Sequence, residues 1–174
     1  EDGERIIRLD ISGEDKENAA GTVYIATEEN AHVTVIEKFI SGKKAQSDLA
    51  FRTKLYAKKN STIRLIQINM LDEGQRLLNA VGSVCDETAK LDVLQMLIGQ
   101  GDVYNGIQTE LEGDQSELHT EIGYIGQKQQ SLDMNLVVNH WGKKTNCDIQ
   151  VDGTLKDAAK KVFRGSIDFK RGSS

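Results

Sequence analysis

Ser131-Leu132-Asp133-Met134-Asn135-Leu136 places an apolar residue at every second position. Side chains of an extended chain alternate between two faces, so Leu132, Met134 and Leu136 share one side while Asp133 and Asn135 share the other. Thr145 then opens a second such stretch, with Cys147, Ile149 and Val151 in the same phase. Read outward in both directions, a small or polar residue opens each alternating segment at Ala31, Ser47, Ser61, Gln75, Ala89, Asp102, Ser116, Ser131, Thr145 and Ala159, a step of about 14 residues. Taken in pairs the steps repeat near 28 residues, enough for two strands of about six residues and two short connections. That is one coil of a flattened parallel β-helix. About five such coils, stacked at the inter-strand spacing of about 4.8 Å, make a solenoid roughly 24 Å long.

Composition agrees. Proline is absent, and proline removes a ladder donor from any strand it enters. Further alternation runs through Val33-Val35 with Ile36, Leu49-Phe51 to Leu55, Ile63-Leu65 with Ile66 and Ile68, and Leu91-Val93. Only Thr88 to Ile98 is ambiguous between helix and strand, and its neighbours favour strand. A jelly roll or sandwich could use similar strands, but apart from Asp2-Gly3 in the opening residues Asn105-Gly106 and Asp152-Gly153 are the only tight-hairpin dipeptides, and Gly99-Gln100-Gly101 reads as a coil corner. The expectation is one all-β domain over residues 1–174, a parallel β-helix of about five coils of two strands.

The formal charge of −5 and pI near 5.3 argue against nucleic acid or an anionic membrane as partner. The pairs Lys43-Lys44, Lys58-Lys59, Lys143-Lys144 and Lys160-Lys161 fall at segment starts and read as solvated corners. No apolar run approaches a membrane span, and two widely separated cysteines, Cys85 and Cys147, suit a reducing cytoplasm. Phosphate-loop, nucleophile-elbow and dinucleotide fingerprints are missing, as is any C-x-x-C spacing for a permanent metal centre. The chain therefore reads as no enzyme. The alternatives are a carbohydrate-active β-helix using a carboxylate pair among Glu110, Glu112, Asp114 and Glu117, and a self-polymerising structural β-helix.

Four stretches resemble the SufB/SufD family of iron–sulfur cluster assembly proteins. They are Ala31-His32-Val33-Thr34-Val35-Ile36-Glu37; Leu111-Glu112-Gly113-Asp114 with Gln127-Lys128-Gln129; His140-Trp141-Gly142-Lys143-Lys144-Thr145 followed by Asp152-Gly153; and Ala158-Ala159-Lys160-Lys161-Val162-Phe163-Arg164-Gly165-Ser166-Ile167. The resemblance implies a right-handed parallel β-helix that pairs with a sister SufB/SufD subunit. It also implies a SufC-type ATPase bound through a C-terminal helical region, so that this chain is a core fragment. The full complex would carry an iron–sulfur cluster transiently, with no cofactor in the isolated chain. Where SufB-type proteins place a sulfur-accepting cysteine this chain has Thr109, which favours a SufD-like reading.

His140, inside the matched motif, is the first candidate metal ligand; a turn histidine bonded to backbone is the plainer reading. Cys147, at the serine position of the family's Thr-Ser pair, is the second, against a reading as a buried inert thiol. Cys85 is read as buried and inert, and His32 and His119 as facing solvent. A homodimer by strand addition along the C-terminal edge, where Ile167 lies, is expected from an uncovered end coil.

Overall fold

The computed structural model describes residues 5–13, 18–42 and 48–173; Lys43-Lys44 and Ser47 fall outside them. Among the described residues every regular element is a strand: β1 (Arg5–Ser12), β2 (Ala19–Ala26), β3 (His32–Ile40), β4 (Leu49–Ala57), β5 (Thr62–Met70), β6 (Arg76–Cys85), β7 (Lys90–Leu97), β8 (Asp102–Leu111), β9 (Glu117–Gly126), β10 (Ser131–His140), β11 (Asn146–Leu155) and β12 (Lys160–Phe169). The odd strands form one parallel sheet in the order β1-β3-β5-β7-β9-β11, and the even strands a second in the order β12-β10-β8-β6-β4-β2. Consecutive strands lie in opposite sheets and each pairs with the strand two places on, which is the expected β-solenoid of about five turns. The ambiguous run at Thr88 to Ile98 is strand β7. Asn105-Gly106 and Asp152-Gly153 lie inside strands, β8 and β11, and Asp2-Gly3 falls outside the described residues.

Register turns the repeat into columns. On the odd sheet Val35, Leu65 and Val93 stack inward, and on the even sheet Leu49, Leu77, Val103 and Leu132 do the same. Leu65, Leu77, Val103 and Leu132 are fully excluded from solvent. Each coil thus buries its apolar edge only against its neighbours.

The connection from even to odd strand is a tight corner repeated coil after coil. Its left-handed residue is Asn30, Asn60, Thr88, Gln115 or Lys144, with φ of 61°, 60°, 57°, 60° and 55°. Asparagine tolerates this region, and the corner residues also bond one another: Asn60 Nδ2 donates to Asn30 Oδ1 at 3.2 Å and Thr88 Oγ1 to Asn60 Oδ1 at 2.6 Å. Two corners stack so tightly that only glycine fits: a Cβ on Gly113 would lie 1.9 Å from Glu87 N, and one on Gly142 2.2 Å from Gly113 O. Lys58 and Lys59 sit on this line paired with Glu28 and Glu87, as solvated corners should.

In Ile63 to Met70 apolar residues occupy both phases; Ile63 and Leu65 point inward with Gln67 and Asn69, and Ile66 and Ile68 point outward.

Candidate functional site

His140 ends β10 on an inward column, with Leu111 beneath it and Phe169 above it in register. It is 1% exposed, so the plainer reading of a turn histidine bonded to backbone is corrected: the ring lies inside the end of a strand and its partner is a side chain. Nδ1 lies 2.6 Å from Thr145 Oγ1, and the ring stacks on Phe169 at 4.5 Å between centroids. The corner that brings Thr145 back is held by the Gly142–Gly113 approach and by left-handed Lys144. Thr145 also directs its hydroxyl to Gly142 O at 3.4 Å. With the proton on Nδ1, Thr145 accepts it while donating to Gly142 O, and Nε2 then carries the lone pair; with the hydroxyl donating to Nδ1 instead, Nε2 carries the proton. Nε2 is buried without a hydrogen-bond partner. Burial pushes the imidazole below its ordinary value, so it is neutral at neutral pH.

Cys147 is the second residue of β11, across the same corner, inward in phase with Ile149 and Val151 and partly buried. Burial, and then the neighbouring Asp148, push its thiol up, which keeps it protonated and a poor nucleophile. Cys85 is fully buried and burial alone pushes it to about 12. The fold thus brings His140 and Cys147 to one corner while leaving Cys85 on a lower coil. Among the described residues no group of three or more His, Cys, Asp or Glu could hold a metal ion.

Glu110 lies on the outer face of the even sheet. Burial opposes its ionisation, but donors from Gln108, Trp141 and Asn139 together with the charge of Lys170 hold its carboxyl below the ordinary range. Glu112 and Asp114 sit on the corner, and Glu117 on the odd sheet pairs with Lys90. A hydrolase acid needs a raised pKa, so Glu110 is an anchored anion rather than a proton donor. Thr109 is inward and fully buried, 2.8 Å from Ser83 Oγ. His32 is exposed; His119 points outward between Glu121 and Asp148, and the hydrogen bond that it donates to the Glu121 carboxylate is the main cause of its raised pKa.

The interior also holds polar groups that alternation did not reveal. Glu37, Gln67 and Gln95 stack on the odd sheet, and Thr53, Asn79 and Asn105 face them from the even sheet, all at most 5% exposed. Thr53 Oγ1 and Gln67 Nε2 donate to Glu37 at 2.9 and 2.7 Å. Asn79 Nδ2 donates to Gln67 Oε1 at 2.7 Å and to Asn105 Oδ1 at 2.9 Å, while Gln95 Nε2 and Gln67 Oε1 meet at 2.7 Å, as do Asn105 Nδ2 and Gln95 Oε1. Desolvation raises the Glu37 pKa against these donors. A signal existed: Gln67 and Gln95 stand 28 residues apart, and Asn79 and Asn105 stand 26 apart, both close to the coil period and in phase with buried leucine or valine.

Residues 10–174 match the family described as "SUF system FeS cluster assembly, SufBD core domain". The chain is also similar to "Iron-sulfur cluster assembly protein SufD" of Bacillus subtilis (strain 168), at 24% identity over 155 residues, covering 87% of this chain and 35% of that protein. It therefore spans about a third of the length of this curated relative. No solved structure matches it significantly. Motifs, solenoid and family match coincide over the same residues, and the chain belongs to the SufBD core-domain family of the SUF iron–sulfur cluster assembly system.

Proposed function

We propose that this chain is the β-helical body of a scaffold subunit of the SUF machinery, acting without catalysis of its own beside a sister SufB/SufD subunit and a SufC-type ATPase in the cytoplasm. The observation that carries the reading is the extent of the family match: residues 10–174 cover nearly the whole stack of coils rather than a catalytic motif. A stacked body of parallel strands suits a rigid support, because each inner coil is fixed by two neighbours.

An iron–sulfur cluster is cargo in this reading. His140, whose Nε2 is buried without a partner, and Cys147 on the same corner are the contacts offered to it, in the Nδ1-protonated tautomer and on loss of the thiol proton to the metal. Two donors fall short of the four that hold a stable cluster, so the chain holds none permanently.

Co-expression of the full-length protein with the SufC-type ATPase and the sister subunit of the same genome tests the assignment. Co-elution of both is the expected result, and a full-length protein that captures neither overturns it. Anaerobic treatment of the chain with iron and sulfide should leave little colour after desalting. A stoichiometric cluster that disappears in Cys147→Ser and His140→Ala would instead make both residues resident ligands.

A further inference from the structure

The outer face of the even sheet is hollowed where that of the odd sheet is filled. Three rows of outward residues run in register across β4, β6 and β8: Ala50, Leu78 and Tyr104; Arg52, Ala80 and Gly106; Lys54, Gly82 and Gln108. Ala80, Gly82 and Gly106 raise almost no side chain above the sheet, so the centre of the face sinks to the backbone. The centre of the odd sheet carries Ile66, Ile68, Leu94 and Met96 instead. The hollow has a volume of about 740 Å³, within the roughly 300–1,000 Å³ usual for small-molecule sites. A second hollow of about 300 Å³ continues it past Arg52, Ala80 and Gly106 to Lys54 and Gly82.

Folding does not ask for the two glycines. Neither has φ in the left-handed region; a Cβ on Gly82 would meet nothing within 4 Å, and one on Gly106 only Asn79 O at 4.0 Å. Glycine inside a strand weakens it and often marks a place where another group approaches the backbone closely. Gly82 and Gly106 are diagonal neighbours in the register, so the room that they leave is one patch. Its edges differ in chemistry. Leu78 and Tyr104, 46% and 44% exposed, stand side by side as an apolar wall. On the adjoining edge Arg52 and Lys54 lie two residues apart on the same face of β4, about 7 Å between their Cα atoms. Neither has a carboxylate partner among the described residues, although Lys54 lies 5.2 Å from the centre of the Tyr24 ring. Asp133, the carboxylate on the lining, is already bonded to Arg164. In a chain of formal charge −5, two neighbouring cations without a carboxylate make a place for an anion, and a guanidinium fork fits a carboxylate or a phosphate with two parallel bonds.

We propose that this hollow binds a small planar aromatic anion, its ring lying flat on the backbone at Gly82 and Gly106 beside Tyr104 and Leu78, its carboxylate or phosphate held by Arg52 with Lys54. A flat ring needs a floor without Cβ atoms, which these two positions supply, and Tyr104 offers it an aromatic neighbour. Each part of the ligand depends on the other. The apolar wall gives no hold on a bare phosphate, and the cations give little to a neutral ring. The site lies on the outer face of the sheet and not at the corner of His140, so it stands independently of the scaffold role and of the partners that the chain captures.

Calorimetric titration of the chain with 1-naphthyl phosphate, 1-naphthoate, inorganic phosphate and 1-naphthol tests the site, with far-ultraviolet circular dichroism as the control for folding. One saturable site is expected for the two naphthyl anions, and the tighter of them identifies the anionic group preferred. Inorganic phosphate and naphthol should each bind at least about tenfold more weakly than that anion, because each lacks one half of the contact. Gly106→Val puts a strand-favouring side chain where the protein itself leaves room. It should leave the dichroism unchanged and weaken anion binding at least about tenfold, since the new side chain occupies the place of the ring. Arg52→Gln should weaken both anions about tenfold while leaving naphthol as it was. Arg64→Gln, at an exposed arginine of the other sheet, should change nothing. The proposal is overturned if neither naphthyl anion gives saturable binding, if inorganic phosphate binds as tightly as they do, or if their binding survives Gly106→Val in a folded chain.

Discussion

The interior of the middle coils and that of the last two are built on the same columns with opposite chemistry. Along one column Glu37, Gln67 and Gln95 give way to Ile122 and Val151, and along the facing one Asn79 and Asn105 give way to Met134. Polar groups are tolerated in the middle because parallel register sets amide beside amide one coil on, so each donor finds an acceptor. His140 has no such neighbour. It stands between Leu111 and Phe169, and its Nε2 is left over. Asn69 Nδ2 and Thr120 Oγ1 are also buried without partners, but neither is a base. A satisfied string is a structural device, whereas a single orphaned imidazole nitrogen has a use to be explained.

The most damaging way to break this contrast is Gln67→Leu. It removes a donor to Glu37 and the acceptor shared by Asn79 and Gln95, leaving three buried groups short of a partner at about 1–3 kcal/mol each. A loss of about 4 kcal/mol is expected, read as a fall in the urea midpoint at unchanged slope. Leu136→Ala in the apolar half, where the leucine is 1% exposed, leaves a cavity instead and should cost about 3 kcal/mol. Should Gln67→Leu prove milder than Leu136→Ala, the string is not holding the middle coils.

Much of the fold was legible because period two and a recurring step are both written in the chain: the segment openers from Ala31 to Ala159 stand at or immediately before strand starts wherever the structure describes them. What alternation cannot supply is the sign of the phase. In Ile63-Arg64-Leu65-Ile66-Gln67-Ile68-Asn69-Met70 both faces carry apolar residues, and hydrophobicity favours putting Ile66 and Ile68 inside. The structure puts Gln67 and Asn69 there because the string satisfies them. That ambiguity of phase hid the buried network and the outward isoleucines at once. Of the site, the corner of His140 was visible from its motif. Its burial was not, since the stacked Phe169 and the bond to Thr145 come from residues whose approach depends on coil register.

Glu37→Gln sharpens the comparison at lower cost. The amide oxygen can accept from Gln67, and its NH₂ can donate to the Thr53 hydroxyl, which accepts as readily as it donates. Stability at pH 7 should change by no more than about 1 kcal/mol. The pH dependence should change more clearly. The folded-state pKa of Glu37 lies above the ordinary 4.5, so between those values the folded state holds the extra proton, and stability falls as pH rises through that window. Chemical denaturation from pH 4 upward should show that decline in the parent and not in Glu37→Gln. A parent whose stability is flat there would mean that the string accommodates the carboxylate without penalty.

The smallest effect on stability, and the most informative, is expected from His140→Phe. The new ring keeps the stack on Phe169 and removes a buried nitrogen that has no partner, while Thr145 loses Nδ1 but keeps its weaker bond to Gly142 O. These changes oppose one another, so the urea midpoint at pH 7 should correspond to a difference within about 1 kcal/mol. Acid behaviour distinguishes the two proteins. With a folded pKa below the ordinary 6.5, the parent imidazole gives its stabilisation in full above that value and loses it as pH falls toward the folded pKa, because only the unfolded chain takes up the proton. The variant should lack this component of the acid slope. If the two chains titrate alike, His140 is not held neutral by burial. If they differ as expected and the variant, stable and folded, no longer supports cluster assembly by the full-length protein, the nitrogen is kept for the cargo: a merely structural histidine would be replaced by phenylalanine without that loss.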